Sequence, residues 1–410
     1  LNILVLSDTF PPVSNAGAEN IALNIAKEYL KYGHLVSIIT INSKLKNGKI
    51  EKIYYEGLTV YQIGSKYNRY LIAYVSLYNP WVLKSIKSIL NDNIFDFSHI
   101  HNLHSHISYG VISLLKSFEI KSILTAHDAM SIEYGKFIQG INPNDISKNP
   151  KVNKTINPFK SFMSYKRSYN PFRNMLIRYF FNKLDKVVTV SEEQEKLLNA
   201  NGINNTITIN NGIMPLEKKP TSEEIKRFKD KYNIKDNDKI LLWAGRLSDA
   251  KGGQQIVKVM RRLISENQNV KLLIVGNTYV VNNELDKYII STNWLDEKGM
   301  QIAYLIANIT LVPSICYDMF PTVVLESMRS STPVIATCFG GAKEVVNNEF
   351  NGYIINPFDI DNFYQKINKL LYDDVLYLKM STESKNTFET QFTIEKCIHK
   401  YFLLIESLMK

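Results

Sequence analysis

Asp318 and Glu326 stand eight residues apart, with Pro321 between them. The stretch from Pro313 to Met328 reads as a strand end, a loop and the start of a helix. Pro321 suits the first helical turn, because it has no N–H to leave orphaned there. The amides of Thr322 and Val323 then lie at the positive end of the helix, free to face an anion. Carboxylates accept hydroxyl protons and a helix N-terminus accepts phosphate. Together they suit one kind of ligand, a nucleotide diphosphate sugar.

Other stretches place reactive groups at strand ends, where open α/β sheets bind their ligands. Gly245-Arg246-Leu247-Ser248-Asp249-Ala250-Lys251-Gly252 follows one strand. Arg246 and Lys251 are five residues apart, and both can reach a diphosphate, the guanidinium as a bidentate fork. On its own the pair also reads as surface cations on a loop. Gly276, which follows the strand Lys271 to Val275, is grouped with the donor-binding residues. Between the first strand and its helix, Gly17 lets the backbone approach a phosphate. His127-Asp128 follows the strand Ser122 to Thr125. His99, His101, His104 and His106 invite a metal reading, but no cysteine or paired carboxylate accompanies them, so no metal site is expected. His101 and Asn102 are expected on the acceptor side. Asp236-Asn237-Asp238 has a metal-binding pattern in a turn composition, at the wrong strand end. No GxGxxG follows the first strand, against an NAD enzyme.

These groups need elements to hold them. Strands are expected at Asn2–Ser7, Leu35–Thr40, Phe97–Ile100, Ser122–Thr125 and Lys186–Val190. The pattern restarts with Lys239–Ala244, Lys271–Val275 and Ile309–Val312. Helices are expected near Ala18–Tyr32, ending at Gly33, near Gln254–Glu266 and near Ile394–Met409. Strands alternating with helices imply doubly wound sheets. The fold class is therefore α/β, with two Rossmann-like halves. The expected division is 1–211 and 212–393, at the turn-rich Asn210-Asn211-Gly212.

At 410 residues, 45% hydrophobic and 21% charged, the chain is long enough for two ordinary globular domains. Cys316, Cys338 and Cys397 form no CxxC pair, which fits a reducing compartment. No signal peptide is expected, since Asn2 opens a strand, and no apolar run is long enough to span a bilayer. The expected location is cytoplasmic, at the inner membrane face or free of it. Of the net charge of +10, the segment Lys148 to Lys186 contributes ten cations and one acid. Its cations interleave with Phe159, Phe162, Tyr165, Tyr169, Phe172, Tyr179, Phe180 and Phe181. Met175, Leu176, Tyr179 and Phe180 fall at helical spacing and are expected partly in the core. The mixture suits an anionic membrane, with Lys160, Lys166, Arg167 and Arg173 facing it. An acceptor lining or a solvated surface is the alternative. Nucleic acid is not among the expected partners.

The Asp318-x7-Glu326 segment resembles the acid-x7-acid signature of retaining glycosyltransferases of family 4, which have the GT-B fold. The family usually has glutamate where Asp318 stands. The likeness continues through Thr332-Pro333-Val334-Ile335-Ala336-Thr337, Gly340-Gly341-Ala342-Lys343-Glu344 and Asn351-Gly352. The family usually has two glycines where this chain has Ala16-Gly17. The resemblance implies a metal-independent, cofactor-free transfer from a nucleotide diphosphate sugar to a glycan or lipid-linked acceptor, in cell-surface polysaccharide or glycoconjugate synthesis. The second domain would hold the donor, the first most of the acceptor, with the reaction in the cleft between. Arg246 and Lys251 would hold the diphosphate, Asp318 the sugar hydroxyls and Glu326 the ribose. His127 would lie near the reacting sugar. The last helix, 394–410, would pack back on the first domain. A nucleotide-sugar epimerase, a phosphorylase and a non-catalytic subunit of the same fold remain open.

Overall fold

The computed structural model describes residues 1–410 apart from 15, 16, 167, 168, 217, 246, 267, 268 and 277–284. The chain divides into two compact units. Unit 1 comprises Leu1–Phe137, Lys154–Gly212 and Ile394–Lys410; unit 2 comprises Ile138–Asn153 and Ile213–Thr393.

Unit 1 is built on β1 (Asn2–Ser7), β2 (Leu35–Asn42), β3 (Ile50–Tyr55), β4 (Leu58–Gly64), β5 (Phe97–His101), β6 (Lys121–Ala126), β7 (Lys186–Thr189) and β8 (Thr206–Thr208). They form one sheet in the order β3-β4-β2-β1-β5-β6-β7-β8. Its pairings are parallel except β3 with β4, an antiparallel hairpin turning at Glu56-Gly57. Both turn residues have positive φ, the geometry that matches a hairpin's twist. The sequence reading missed this hairpin because β3 is exposed at the sheet edge and carries no buried pattern. The helix Gly17–Lys31 buries Ile21, Ala22, Ile25, Ala26 and Tyr29, and Gly33 follows in the left-handed region.

The last helix, Ile394–Met409, belongs to unit 1. It buries Ile394, Cys397, Ile398, Tyr401, Leu404 and Ile405. The Tyr401 hydroxyl meets Thr125 Oγ1 at 2.9 Å, and the Phe402 ring lies against those of Tyr29 and Tyr32.

Unit 2 is built on β9 (Lys239–Ala244), β10 (Val270–Val275), β11 (Ile289–Ser291), β12 (Ile309–Val312), β13 (Val334–Thr337) and β14 (Gly352–Ile355). They form one sheet in the order β11-β10-β9-β12-β13-β14. All its pairings are parallel. Alternation along the strands sorts the core into two layers. Leu241, Trp243, Leu272 and Ile274 pack with Ile256, Val259, Met260 and Leu263 of the helix Gly253–Glu266. Ile240, Leu242, Leu273 and Val275 pack with Ile302 and Ala303 of the helix Glu297–Ile306. Helices therefore cover both faces, which is why these strands read as unbroken apolar runs.

Three expectations need correction. Residues 138–153 group with unit 2, not with the first domain. Asn356 Nδ2 donates to the carbonyls of Asp145 and Ser147 at 2.7 and 2.9 Å, anchoring this segment to the end of β14. No local pattern marks such an excursion. In the helix Arg173–Phe181 the buried residues are Arg173, Ile177 and Phe181, while Met175 and Tyr179 are exposed. Arg173 is therefore not a surface cation. Its guanidinium donates to Met130 O and, at 3.2 Å, to Asn174 Oδ1, and it lies 5.7 Å from the centre of the Tyr134 ring. Arg167 lies outside the described residues.

Candidate active site

Sheet order points to a candidate site in unit 2. The chain lays down β9, β10 and β11 outward in one direction, then returns to place β12 on the other side of β9. At such a reversal the loops after the two central strands part and leave a crevice. Here those loops are Gly245–Gly252 and Pro313–Pro321.

The two loops are stitched together. Ala250 O accepts from the amides of Ile315 and Cys316, both at 3.1 Å. Gly252 has φ +89°, and a Cβ there would stand 2.0 Å from Pro313 O, so only glycine lets the loops approach this closely. The stitch brings Lys251 Nζ onto Asp318 Oδ2 in an ion pair. Ser314 Oγ lies 3.4 Å from the same oxygen. The backbone of Asp318 is pinned from the other side, where its carbonyl accepts from Gly341 N at 2.8 Å. Gly340, at φ +94°, runs so close that a Cβ would stand 2.0 Å from Asp318 O.

Lys251 and Asp318 retain 36% and 15% side-chain exposure. With the lysine at that exposure the pair is worth on the order of 1 kcal/mol, so a ligand can separate it. The pair therefore holds a cation and a carboxylate together without locking either.

The helix Thr322–Arg329 begins at this loop. Pro321 is its N-cap residue in extended conformation, and no side chain caps it. Val324 N donates to Pro321 O at 3.0 Å, so Thr322 and Val323 lie ahead of the helix's own ladder. Further along the helix, Glu326 Oε2 accepts from the buried Tyr304 hydroxyl at 2.7 Å. Burial, then the charge of Glu326, raises the Tyr304 pKa well above its usual value. Tyr304 thus stays a donor and fixes one carboxylate oxygen of Glu326. The sequence reading missed Tyr304, because its pattern reads only as core.

Gly245 and Gly276 have φ of +129° and +130°, and a Cβ on Gly276 would stand 2.3 Å from Gly245 O. The structure thus gives Gly276 a packing reason, the close passage of two strand ends. Arg246 and Ala16 lie outside the described residues. Gly17 is the exposed first residue of its helix.

In unit 1 the corresponding reversal lies between β1 and β5. Asp8, directly after β1, is buried and accepts from the amides of Ser105, His106 and Ile107 at 2.7, 2.8 and 2.7 Å. Sequence reading passed over it, although a carboxylate at a strand end was a usable signal. The histidines form a chain. His101 Nδ1 meets His127 Nε2 at 2.9 Å, and the His99 and His101 ring centres are 4.2 Å apart. His99 meets the Tyr29 hydroxyl at 3.0 Å and Thr125 Oγ1 at 2.8 Å. Burial lowers the His99 pKa to about 3 and that of His127 to about 4, the latter opposed by Asp128 and assisted by His104. Neutral imidazoles are the result. Asn102 Oδ1 accepts from His127 N at 3.1 Å, orienting that residue's backbone.

Among the described residues no group of three or more His, Cys, Asp or Glu is arranged to hold a metal ion. Asp236 pairs with Lys229, and Asp238 caps the turn by accepting from Lys235 N at 2.8 Å, at the start of β9 and away from the crevice.

A family model described as Glycosyltransferase Family 4 matches residues 15–215, and one described as Glycosyl transferases group 1 matches residues 224–387. The chain belongs to the family 4 glycosyltransferases. The glycosyltransferase is 22% identical over 407 residues to the N-acetyl-alpha-D-glucosaminyl L-malate synthase of Bacillus anthracis, covering 96% of this chain and 93% of that one. It is 21% identical over 384 residues to an uncharacterized glycosyltransferase of Methanocaldococcus jannaschii, covering 91% and 90%. With a putative glycosyltransferase of Bacillus subtilis it shares 26% identity over 199 residues, about half of that protein's length (49%) and 45% of this one. Among solved structures, sucrose-phosphate synthase from Thermosynechococcus elongatus superposes with a TM-score of 0.74 at 17% identity, over 99% of this chain and 98% of that one. The Anabaena HepE complex with UDP-glucose gives 0.68 at 15% identity, over 99% of each chain. The fold of the glycosyltransferase is GT-B, two parallel-sheet α/β units.

Proposed function

We propose that this glycosyltransferase moves a sugar from a nucleotide diphosphate sugar to a glycan or lipid-linked acceptor, with retention of configuration and without a metal ion. The observation that supports this reading is the gathering of Lys251, Asp318, Glu326 and the uncapped start of the Thr322–Arg329 helix at the unit 2 reversal. Lys251 and Arg246, with the amides of Thr322 and Val323, take the diphosphate and stabilise the charge that grows on it as the sugar leaves. Asp318 accepts from sugar hydroxyls once Lys251 turns to phosphate. Glu326 accepts from the ribose through the oxygen that Tyr304 leaves free. Gly17 and Gly245 let backbone come close to the ligand. His127 hydrogen-bonds the reacting sugar as a neutral ring. HepE, solved with UDP-glucose, supports a nucleotide sugar as the donor.

The test is a thermal-shift screen against nucleotide diphosphates and their sugars, followed by product analysis. A ligand held only by the folded state at a hundred times its Kd adds about 2.7 kcal/mol of stability. One nucleotide sugar should raise Tm, turn over in the presence of EDTA and give a product with the donor's anomeric configuration by NMR. No response to any nucleotide, or an inverted product, would overturn the proposal.

A further inference from the structure

Unit 1 exposes apolar side chains on two segments far apart in sequence. The helix Pro158–Tyr165 is started by Asn157, whose side chain accepts from Phe159 N and Lys160 N, and by Pro158 in its first turn. It turns Ser161 inward, where the hydroxyl donates to the Glu133 carboxylate at 3.1 Å. It leaves Phe159 70% and Met163 58% exposed. The second segment, over Arg69–Leu71 and Ile72–Val75, leaves Tyr70 51% and Leu71 49% exposed. The two meet at a cavity of about 270 Å³ bordered by Tyr74, Phe162, Met163 and Lys166.

Exposed apolar side chains from two segments that meet at one cavity call for an occupant. Charge selects one. No Asp or Glu occurs between Arg69 and Leu90, or between Lys148 and Leu184. Lys160 and Lys166 stand exposed beside the apolar side chains. An uncharged protein surface would match the apolar part alone. A bilayer with anionic headgroups matches both parts, and aromatic side chains favour its interface. Among the described residues no helix is long and apolar enough to cross a membrane, so the face would lie on the bilayer.

We propose that this face seats unit 1 on an anionic lipid surface, with Phe159, Met163, Tyr70 and Leu71 among the headgroups and Lys160 and Lys166 against lipid phosphates. The consequence that the acceptor is lipid-linked rests on the proposed function; the seating itself does not.

The experiment is sedimentation of the whole chain with phosphatidylcholine vesicles, with and without phosphatidylglycerol, across a salt series. Binding should require phosphatidylglycerol and weaken as salt rises. The variant K160Q/K166Q should bind about fivefold more weakly per lysine, the equivalent of about 1 kcal/mol each. The variant L71S/F159S/M163S should lose binding at least tenfold, with Tm unchanged because these side chains are exposed. Equal binding to both vesicle types, strong or negligible, overturns the seating. So does concentration-dependent self-association abolished by the apolar variant, which would make a second copy the occupant. Vesicle binding without any Tm response to nucleotide sugars would leave the seating in place and overturn the donor assignment instead.

Discussion

At the scale of single residues, the charge proposed to meet the donor is distinct from the charge that stabilises the fold. The Lys251–Asp318 pair contributes little to folding at its exposure, so Lys251→Ala should leave Tm within a degree or two of wild type. Turnover should fall by roughly 10²–10³, as on loss of one transition-state charge donor. Unchanged kcat in a steady-state donor assay would remove Lys251 from the chemistry. Asp318→Asn should impair turnover of the donor sugar more than binding of the free nucleotide, whereas Glu326→Gln should weaken both. Calorimetric titration with nucleotide separates the two, and equal affinity losses would contradict the division. The histidines act on stability. In the unfolded chain each titrates near its ordinary value of about 6.5. Folding holds His127 at about 4 and His99 at about 3. Between these limits the unfolded chain binds protons that the folded chain refuses, so stability falls as pH falls below about 6.5. Above that pH neither ring contributes. At pH 5 the loss should be on the order of 1–2 kcal/mol per ring. Thermal melts at pH 7 and pH 5 should show it, and His127→Gln should narrow the gap; a gap of unchanged width would dispute the assignment.

At the scale of elements, glycines decide where carboxylates stand. Gly340→Ala adds a Cβ 2.0 Å from Asp318 O at a backbone conformation that disfavours side chains. Strain of about 1–3 kcal/mol follows, together with a displaced Asp318. Donor affinity and Tm should therefore fall together. Gly33→Ala meets nothing within 4 Å, at φ +85°. It should lower Tm by backbone strain and leave donor affinity alone; parallel loss of affinity in both variants would deny Gly340 its positioning role. Much of this candidate site was legible because it is local. Asp318, Pro321, Thr322 and Glu326 share one strand-loop-helix passage whose punctuation is written in consecutive residues. Lys251 was legible from its place after a strand. What stayed hidden depends on pairing across the chain. The Tyr304–Glu326 bond, the Asp8 contacts with residues 105–107 and the edge hairpin β3–β4 are set by tertiary neighbours. The helix Arg173–Phe181 was misread for a related reason. Its apolar residues outnumber its buried positions, and a buried guanidinium that donates to Met130 and Asn174 has no signature in hydrophobic periodicity.

At the scale of the molecule, chain order and unit order differ. Unit 1 takes in the last helix after all of unit 2. That helix buries six side chains, each worth about 1.5–3 kcal/mol when an apolar residue is fully covered. Their sum is comparable with the whole stability of a domain, about 5–15 kcal/mol. A chain ending at Thr393 should therefore fail to fold unit 1, seen as loss of its melting transition and of hydrogen-exchange protection in β1, β5 and β6. Retained protection there would show the helix to be dispensable. The same topology sets a timetable for biosynthesis. Domains commonly fold as they leave the ribosome, the first-made first. Here the first-begun unit cannot be finished until residues 394–410 emerge, after a delay of roughly ten seconds or more at ordinary elongation rates. Through that interval Tyr29, His99 and Thr125 lack the helix that covers them, and the second unit, which ends at Thr393, is itself completed only just before that helix emerges. A nascent-chain holdase would find its substrate in the N-terminal half of this protein, and mistranslation near residue 400 would be felt at the opposite end of the chain.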